Sequence, residues 1–234
     1  MDSENHMFVR RALIPLALAL FAARCADGPH PTAVQEPLAP APHFLRWAGG
    51  SQPQFTTIGA VSDGSGDGLV LALAPPSGGL SLDRYTAAFW AVRGAERSVQ
   101  INYVSSLGDT SWQFLRLTTV DPTYVPGLGD LAPGDSVLIT VTVDPYNIKV
   151  SLEPTGLLFG DPAQLQISYS GAGGDLNGDG VVDDTDAYIE SQLLGMWYRE
   201  GGDTAWTRIS ATPLPAQQAF TTELPHFSEY SVSW

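Results

Sequence analysis

Ser136-Val137-Leu138-Ile139-Thr140-Val141-Thr142-Val143 places Val137, Ile139, Val141 and Val143 on one side of an extended chain. Side chains of a strand point alternately to its two faces, so apolar residues at every second position mark a strand with one buried face. Pro133-Gly134-Asp135 turns the chain into this run, and the same period recurs on both sides of it. Upstream, Ala88, Trp90 and Val92 alternate with Phe89, Ala91 and Arg93, Val99, Ile101 and Tyr103 alternate with Ser98, Gln100 and Asn102, and Trp112 to Leu117 makes a further run. Downstream, Ile148 to Leu152 is followed by Leu165, Ile167 and Tyr169. Met196 to Arg199, Trp206 to Ile209, Ala219 to Thr222 and Phe227 to Trp234 close the series, with Tyr230, Val232 and Trp234 on one face. Many short strands separated by turn residues predict an all-β sandwich or barrel.

One segment breaks the rhythm. Asp175-Leu176-Asn177-Gly178-Asp179-Gly180-Val181-Val182-Asp183-Asp184-Thr185-Asp186 carries five carboxylates in twelve residues. Calcium takes six to eight hard oxygen ligands, and an EF-hand loop supplies them from positions 1, 3, 5, 7, 9 and 12, with glycine at 6 for the sharp turn. That register falls on Asp175, Asn177, Asp179, the Val181 carbonyl, Asp183 and Asp186, with Gly180 at the turn. Val182, at position 8, is expected to pack inward. Asp186 stands where the usual pattern ends in Glu. A glycine-rich lead, Gly171 to Gly174, replaces the entering helix, and Asp184 to Leu194 predicts a short exit helix whose apolar face is Ile189, Leu193 and Leu194.

The loop resembles one half of a dockerin repeat, in which aspartate occupies the last ligand position. Dockerins pair with a cohesin-type receptor through two such loops, so the resemblance implies a calcium-dependent protein-pairing module as an alternative function. This chain carries one complete loop.

The N-terminus has the pattern of an export signal. Arg10-Arg11 precede an apolar run from Ala12 to Ala23, which is too short for a membrane span. The only cysteine follows, and Ala22-Ala23-Arg24-Cys25 resembles a bacterial lipobox with Arg24 in place of a small residue. Residues 1–24 are expected to be a signal peptide and Cys25 a lipidation site, against simple cleavage or retention as an anchor. Residues 25–58 carry Pro29, Pro31, Pro37, Pro40, Pro42 and Pro53 and are expected to be a tether. The sandwich domain is expected over 59–234, with the Gly/Asp cluster 63–68 as a turn between short strands. A single cysteine allows no intrachain disulfide, so packing and the ion must hold the fold.

The formal net charge is −14, and Lys149 is the single lysine. Nucleic acids and anionic membranes are bound through clustered Lys and Arg, which this composition lacks, so any membrane contact is expected only through the lipid.

A second resemblance covers about residues 134–234. Leu152-Glu153-Pro154-Thr155-Gly156-Leu157-Leu158-Phe159, with Pro162, Leu165 and Ile167, looks like the signature turn of ZU5 domains. Trp197-Tyr198, Trp206 and the ending His226-Phe227-Ser228-Glu229-Tyr230-Ser231-Val232 are similar to the close of bacterial ZU5-like domains. The resemblance implies a two-sheet, immunoglobulin-like β-sandwich serving as an interaction module, with the calcium loop inserted in one connection. It also implies a second alternative, self-cleavage at His226-Phe227-Ser228, with Ser228 attacking the Phe227 carbonyl and His226 as general base. The plainer role for this triplet is a core plug at Phe227 with polar caps on either side. Trp197, Tyr198 and Trp206 suggest a sugar-stacking platform, but aromatic residues at strand spacing more commonly pack inward.

No hydrolase elbow, phosphate loop or nucleotide fingerprint is present, and His6, His30 and His43 fall in the leader or tether. The reading is an exported, lipid-anchored, non-catalytic β-sandwich of the cell envelope or outer membrane, or a secreted one, holding one calcium ion. A protein or glycan at the cell surface is the expected partner class.

Overall fold

The computed structural model describes residues 41–48, 54–61, 71–73, 85–104 and 111–234. The expected signal peptide, Cys25, the cluster at 63–68 and the greater part of the tether lie outside the described residues. The alternating runs form two antiparallel sheets, as the period of two predicts.

The larger sheet has β1 (Gln54–Val61), β2 (Leu71–Leu73), β4 (Arg97–Val104), β5 (Ser111–Thr119), β10 (Leu158–Ser168), β13 (Thr212–Leu214) and β14 (Ala219–His226) in the order β13-β14-β10-β5-β4-β1-β2. On its flank β6 (Pro122–Val125) pairs with β10, and β7 (Gly129–Asp130) with β6. The smaller sheet runs β12-β11-β15-β9-β8-β3. Its strands are β3 (Tyr85–Val92), β8 (Ser136–Val143), β9 (Lys149–Glu153), β11 (Gly195–Arg199), β12 (Thr207–Ile209) and β15 (Glu229–Ser233).

The inner faces close on each other. Val137, Ile139, Val141 and Val143 of β8 are all buried, facing a core that includes Ile101, Phe114, Leu115, Leu117, Leu165, Ile167 and Phe227. Fully burying each large side chain of this kind stabilises the fold by about 1.5–3 kcal/mol. The chain changes sheet repeatedly, and two of its passages from the larger to the smaller sheet contain the candidate residues. One is the long connection from β10 to β11, which contains the acidic loop, and the other is the two-residue passage Phe227-Ser228 from β14 to β15.

The structure moves the start of the sandwich. Residues 43–48 and 54–58, assigned to the tether by their proline-rich surroundings, belong to it, the first bridged to β15 and to the turn before β9 and the second within β1. Leu45, Trp47 and Phe55 are buried, and Trp47 meets Phe55 and Phe114 at ring distances of 5.4 and 4.9 Å. His43 and Trp234 exchange backbone hydrogen bonds of 2.7 and 3.3 Å, and Ile148 N–H donates to Leu45 C=O at 2.8 Å. The physical reason is local: Leu45 and Trp47 alternate with exposed Arg46, so this short run has an apolar face of its own.

Candidate metal centre

The loop is framed by the two sheets. On its entry side β10 ends at Ser168, and Ser170–Ala172 form a single 3-10 turn. The Ser170 hydroxyl lies 2.8 Å from Ser168 Oγ and 3.0 Å from the Tyr103 hydroxyl, which ties the entry to β10 and β4. On its exit side a five-residue helix, α1 (Asp184–Tyr188), is followed by one wide turn, Ile189–Leu193, closed by Leu194 N–H to Ile189 C=O at 3.0 Å. The expected exit helix is therefore a short α-helix continued by one wider turn. Its apolar residues do face inward, since Ile189 and Leu194 are buried and Leu193 packs against the core. Glu190 accepts from the Tyr169 hydroxyl at 3.1 Å. Burial, and then the Glu190 charge, push the Tyr169 hydroxyl up to about 12.

Within the loop the carboxylates are turned onto backbone N–H groups. Asp175 Oδ1 accepts from Gly178 at 2.7 Å and Asp179 at 3.1 Å, and its Oδ2 accepts from Gly180 at 2.9 Å. Gly178 and Gly180 make this curl possible with φ of +77° and +90°, a region that side-chain-bearing residues avoid. The Asn177 amide donates to Asp179 Oδ2 at 2.9 Å, Asp179 Oδ1 accepts from Val181 at 2.9 Å, and Asp183 Oδ1 accepts from Thr185 at 2.8 Å.

Asp186 closes the ring. Its Oδ2 accepts the Asp183 N–H at 3.0 Å, completing a capping box at the start of α1, and its Oδ1 accepts Leu176 at 2.7 Å and Asn177 at 3.2 Å. The Asp183 N–H, against the opposing effect of burial and together with the Leu176 and Asn177 N–H groups, holds this carboxyl below the ordinary range. A hydrogen-bonded carboxylate prefers its charged form, which is also the form that binds a metal.

The six positions read from the sequence thus share one turn of chain. Four are carboxylates, one is an amide and one a backbone carbonyl, an all-oxygen donor set that suits a hard cation and no soft one. Among the described residues no three His, Cys, Asp or Glu side chains converge on a single point, because these carboxylates are directed to their own backbone. Val182 differs from expectation, being 69% exposed rather than inward. Its methyl groups lie over Gly174, where an added Cβ would stand 2.9 Å from one of them, so that position has no room for a side chain.

Two contacts at this site were not legible in advance. The Trp234 indole donates to the Leu176 carbonyl at 3.3 Å, and Glu190 links Tyr169 to the exit turn. Leu176, an apolar residue between Asp175 and Asn177, was the available signal, and it is buried.

The other candidate residues separate. Phe227 is fully buried and packs on Phe159 with ring centres 4.9 Å apart, as a core plug does. The Ser228 hydroxyl donates to the Arg199 carbonyl on β11, while His226 Nδ1 stands 3.5 Å from the Phe227 carbonyl oxygen. Beside Ser228 a groove of about 440 Å³ is lined by Ser151, Glu153, Thr155 and Glu229. Its acids are engaged, Glu229 by Arg199 Nε at 2.8 Å and Glu153 by Thr155 N–H at 2.6 Å. Trp197 is buried with its indole on the Ser233 carbonyl at 3.2 Å, and Trp206 carries the Arg199 guanidinium 5.1 Å from its ring centre, so these aromatics do not line up as one open platform.

Comparison of the chain with family models, with curated proteins and with solved structures gives no match. The ZU5-like and dockerin-like readings therefore rest on the residues that carry them.

Proposed function

We propose that the chain is an exported, non-catalytic β-sandwich, anchored through lipidated Cys25 in the cell envelope, that is stabilised by one calcium ion held at Asp175, Asn177, Asp179, Val181, Asp183 and Asp186. The observation that carries this reading is the loop itself: six oxygen donors at the 1-3-5-7-9-12 spacing, curled by two left-handed glycines, in a connection between the two sheets. A long connection costs closure entropy, and five like charges within it repel one another. A divalent ion supplies the charge that offsets the repulsion. Asp186 anchors both ends of the loop, so closing the ring also fixes where β11 begins. The sandwich is then a rigid body presented on a tether, with a protein or glycan at the cell surface as its partner class and no role in binding nucleic acid.

Thermal unfolding in excess calcium and in excess chelator tests this. Free ion at tenfold its dissociation constant adds about 1.4 kcal/mol, which in a domain of this size raises Tm by about 3–5 °C. Identical melting curves in the two conditions contradict the proposal. Mass spectrometry of envelope protein tests the anchor: a diacylglyceryl adduct on Cys25 supports it, and a mature chain lacking Cys25 or carrying it bare rejects it.

A further inference from the structure

The point where the N-terminal segment joins the sandwich lies against the acidic loop. Residues 43–48 run between the C-terminus and the turn joining β8 to β9, with Phe44 bridged to Ser233 and Arg46 to Asn147. On one side the Trp47 ring covers Gly171, where an added Cβ would stand 2.5 Å from the indole, and Ala48 Cβ lies 3.1 Å from the same construction at Gly173. The Trp47 indole N–H donates to the Asp144 carbonyl at 3.0 Å, which fixes the ring in that position. On the other side His43 stacks on Trp234 with ring centres 4.2 Å apart and planes 10° from parallel. Trp234 in turn holds the Leu176 carbonyl, and the N–H of Leu176 is held by Asp186. The segment therefore touches the entry of the loop directly, at Gly171 and Gly173, and reaches its second residue, Leu176, through Trp234.

From this we infer that residues 43–48 act as a strap whose docking is coupled to the state of the 175–186 loop, so that cation binding locks the root of the tether onto the sandwich and cation loss releases it. The inference rests on the reading of the loop as a calcium site and adds a consequence which that reading does not contain. The two ends of the coupling share Leu176: an ion that fixes the Asp175–Asp186 ring fixes the carbonyl on which Trp234 rests, and with it the ring against which His43 stacks. By the reciprocity of coupled equilibria, docking the strap must tighten cation binding by the same factor. For a tethered protein this makes the reach of the tether depend on calcium, since residues 43–48 leave the sandwich when the strap is undocked.

Arg46 is exposed in the middle of the strap and offers a tryptic site, while Arg116, exposed on β5, reports opening of the sandwich as a whole. The test is limited trypsin digestion of the full chain in calcium and in chelator, with cleavage after Arg46 and after Arg116 followed by mass spectrometry and calcium binding measured separately by calorimetry. The expected result is cleavage after Arg46 slowed about tenfold or more by calcium relative to cleavage after Arg116. Asp179→Asn, which keeps an oxygen for the Val181 N–H but removes a ligand charge, is expected to abolish the difference. Trp234→Phe, which retains a ring for His43 but deletes the donor to Leu176, is expected to reduce the protection and the calcium affinity by one common factor. Calcium binding with unchanged cleavage after Arg46 overturns the strap and leaves the calcium site standing. Equal acceleration at Arg46 and Arg116 in chelator overturns it as well, as global unfolding. Absence of binding heat, with cleavage indifferent to calcium, overturns both.

Discussion

Asp186 accepts the backbone N–H of Leu176 at 2.7 Å across ten residues of chain, and the same carboxylate caps the helix in which it sits. It is buried, whereas Asp175, Asp179 and Asp183 lie nearer the solvent. Asp186 therefore ties the start of the loop to the helix at its end, whereas the bonds of Asp175, Asp179 and Asp183 are to residues within five positions of themselves.

The loop variants should separate on this ground. In excess chelator, Asp186→Ala lowers the urea midpoint, because three N–H groups lose their acceptor. Asp179→Ala, at an exposed position, stays within about 0.5 kcal/mol of wild type in chelator and loses stability only in calcium. Equilibrium urea unfolding of both variants in the two conditions checks the contrast.

Acid should weaken the fold through the same group. The Asp186 carboxyl is held below its ordinary value in the folded chain, so its contribution is present above the unfolded value near 4 and is lost as pH falls through the folded one. Asp144 adds to this: burial opposes its charge, but the Tyr146 N–H, the Lys149 ammonium at 3.0 Å and the Asn147 N–H together hold it low as well. Urea midpoints, expected level down to about pH 5 and falling below about pH 4, test the direction.

Alkali should act through Tyr169. Its hydroxyl is raised to about 12 by burial and by Glu190, above the unfolded value near 10. Stability from this group is full below about pH 10 and is lost as pH rises toward 12. Burial raises Tyr230 in the same direction. Tyrosinate absorbance in the folded chain should lag that in urea, and Tyr169→Phe should remove part of the lag.

The passage Phe227-Ser228 should behave as structure. Phe227→Ala leaves a cavity against Phe159 and costs about 3–5 kcal/mol. Ser228→Ala should leave the covalent chain unchanged, and denaturing mass spectrometry of wild type should give one intact mass. A fragment ending at Phe227 would show instead that this bond is cut. Such a cut would sever β15, which lies in the middle of the smaller sheet between β11 and β9.

The strands were legible because a half-buried sheet writes its period into the chain. Val137, Ile139, Val141 and Val143 are inward as their alternation requires, and the β10 run of Leu165 and Ile167 likewise. The curl of the 175–186 segment is likewise a local property, since Gly178 and Gly180 stand where the chain takes positive φ. What the chain did not disclose depends on pairings distant in sequence. Leu45 and Trp47 show an alternation of their own, but only pairings distant in sequence, His43 with Trp234, Leu45 with Ile148 and Trp47 with Asp144, seat the segment on the sandwich, and the surrounding prolines argued for a tether. Val182 is exposed and lies against Gly174, a relation between two points of the chain that spacing alone does not reveal. The Trp234 contact spans 58 residues and could be found only in three dimensions.

The most direct test of the account is a calcium titration of the purified chain by isothermal calorimetry, beside Asp175→Ala and Asp179→Asn. The account predicts one ion per chain for wild type, no binding heat for either variant, and competition by protons as the pH is lowered toward 4. Wild type that gives no heat at millimolar calcium, or variants that bind as wild type does, would contradict it.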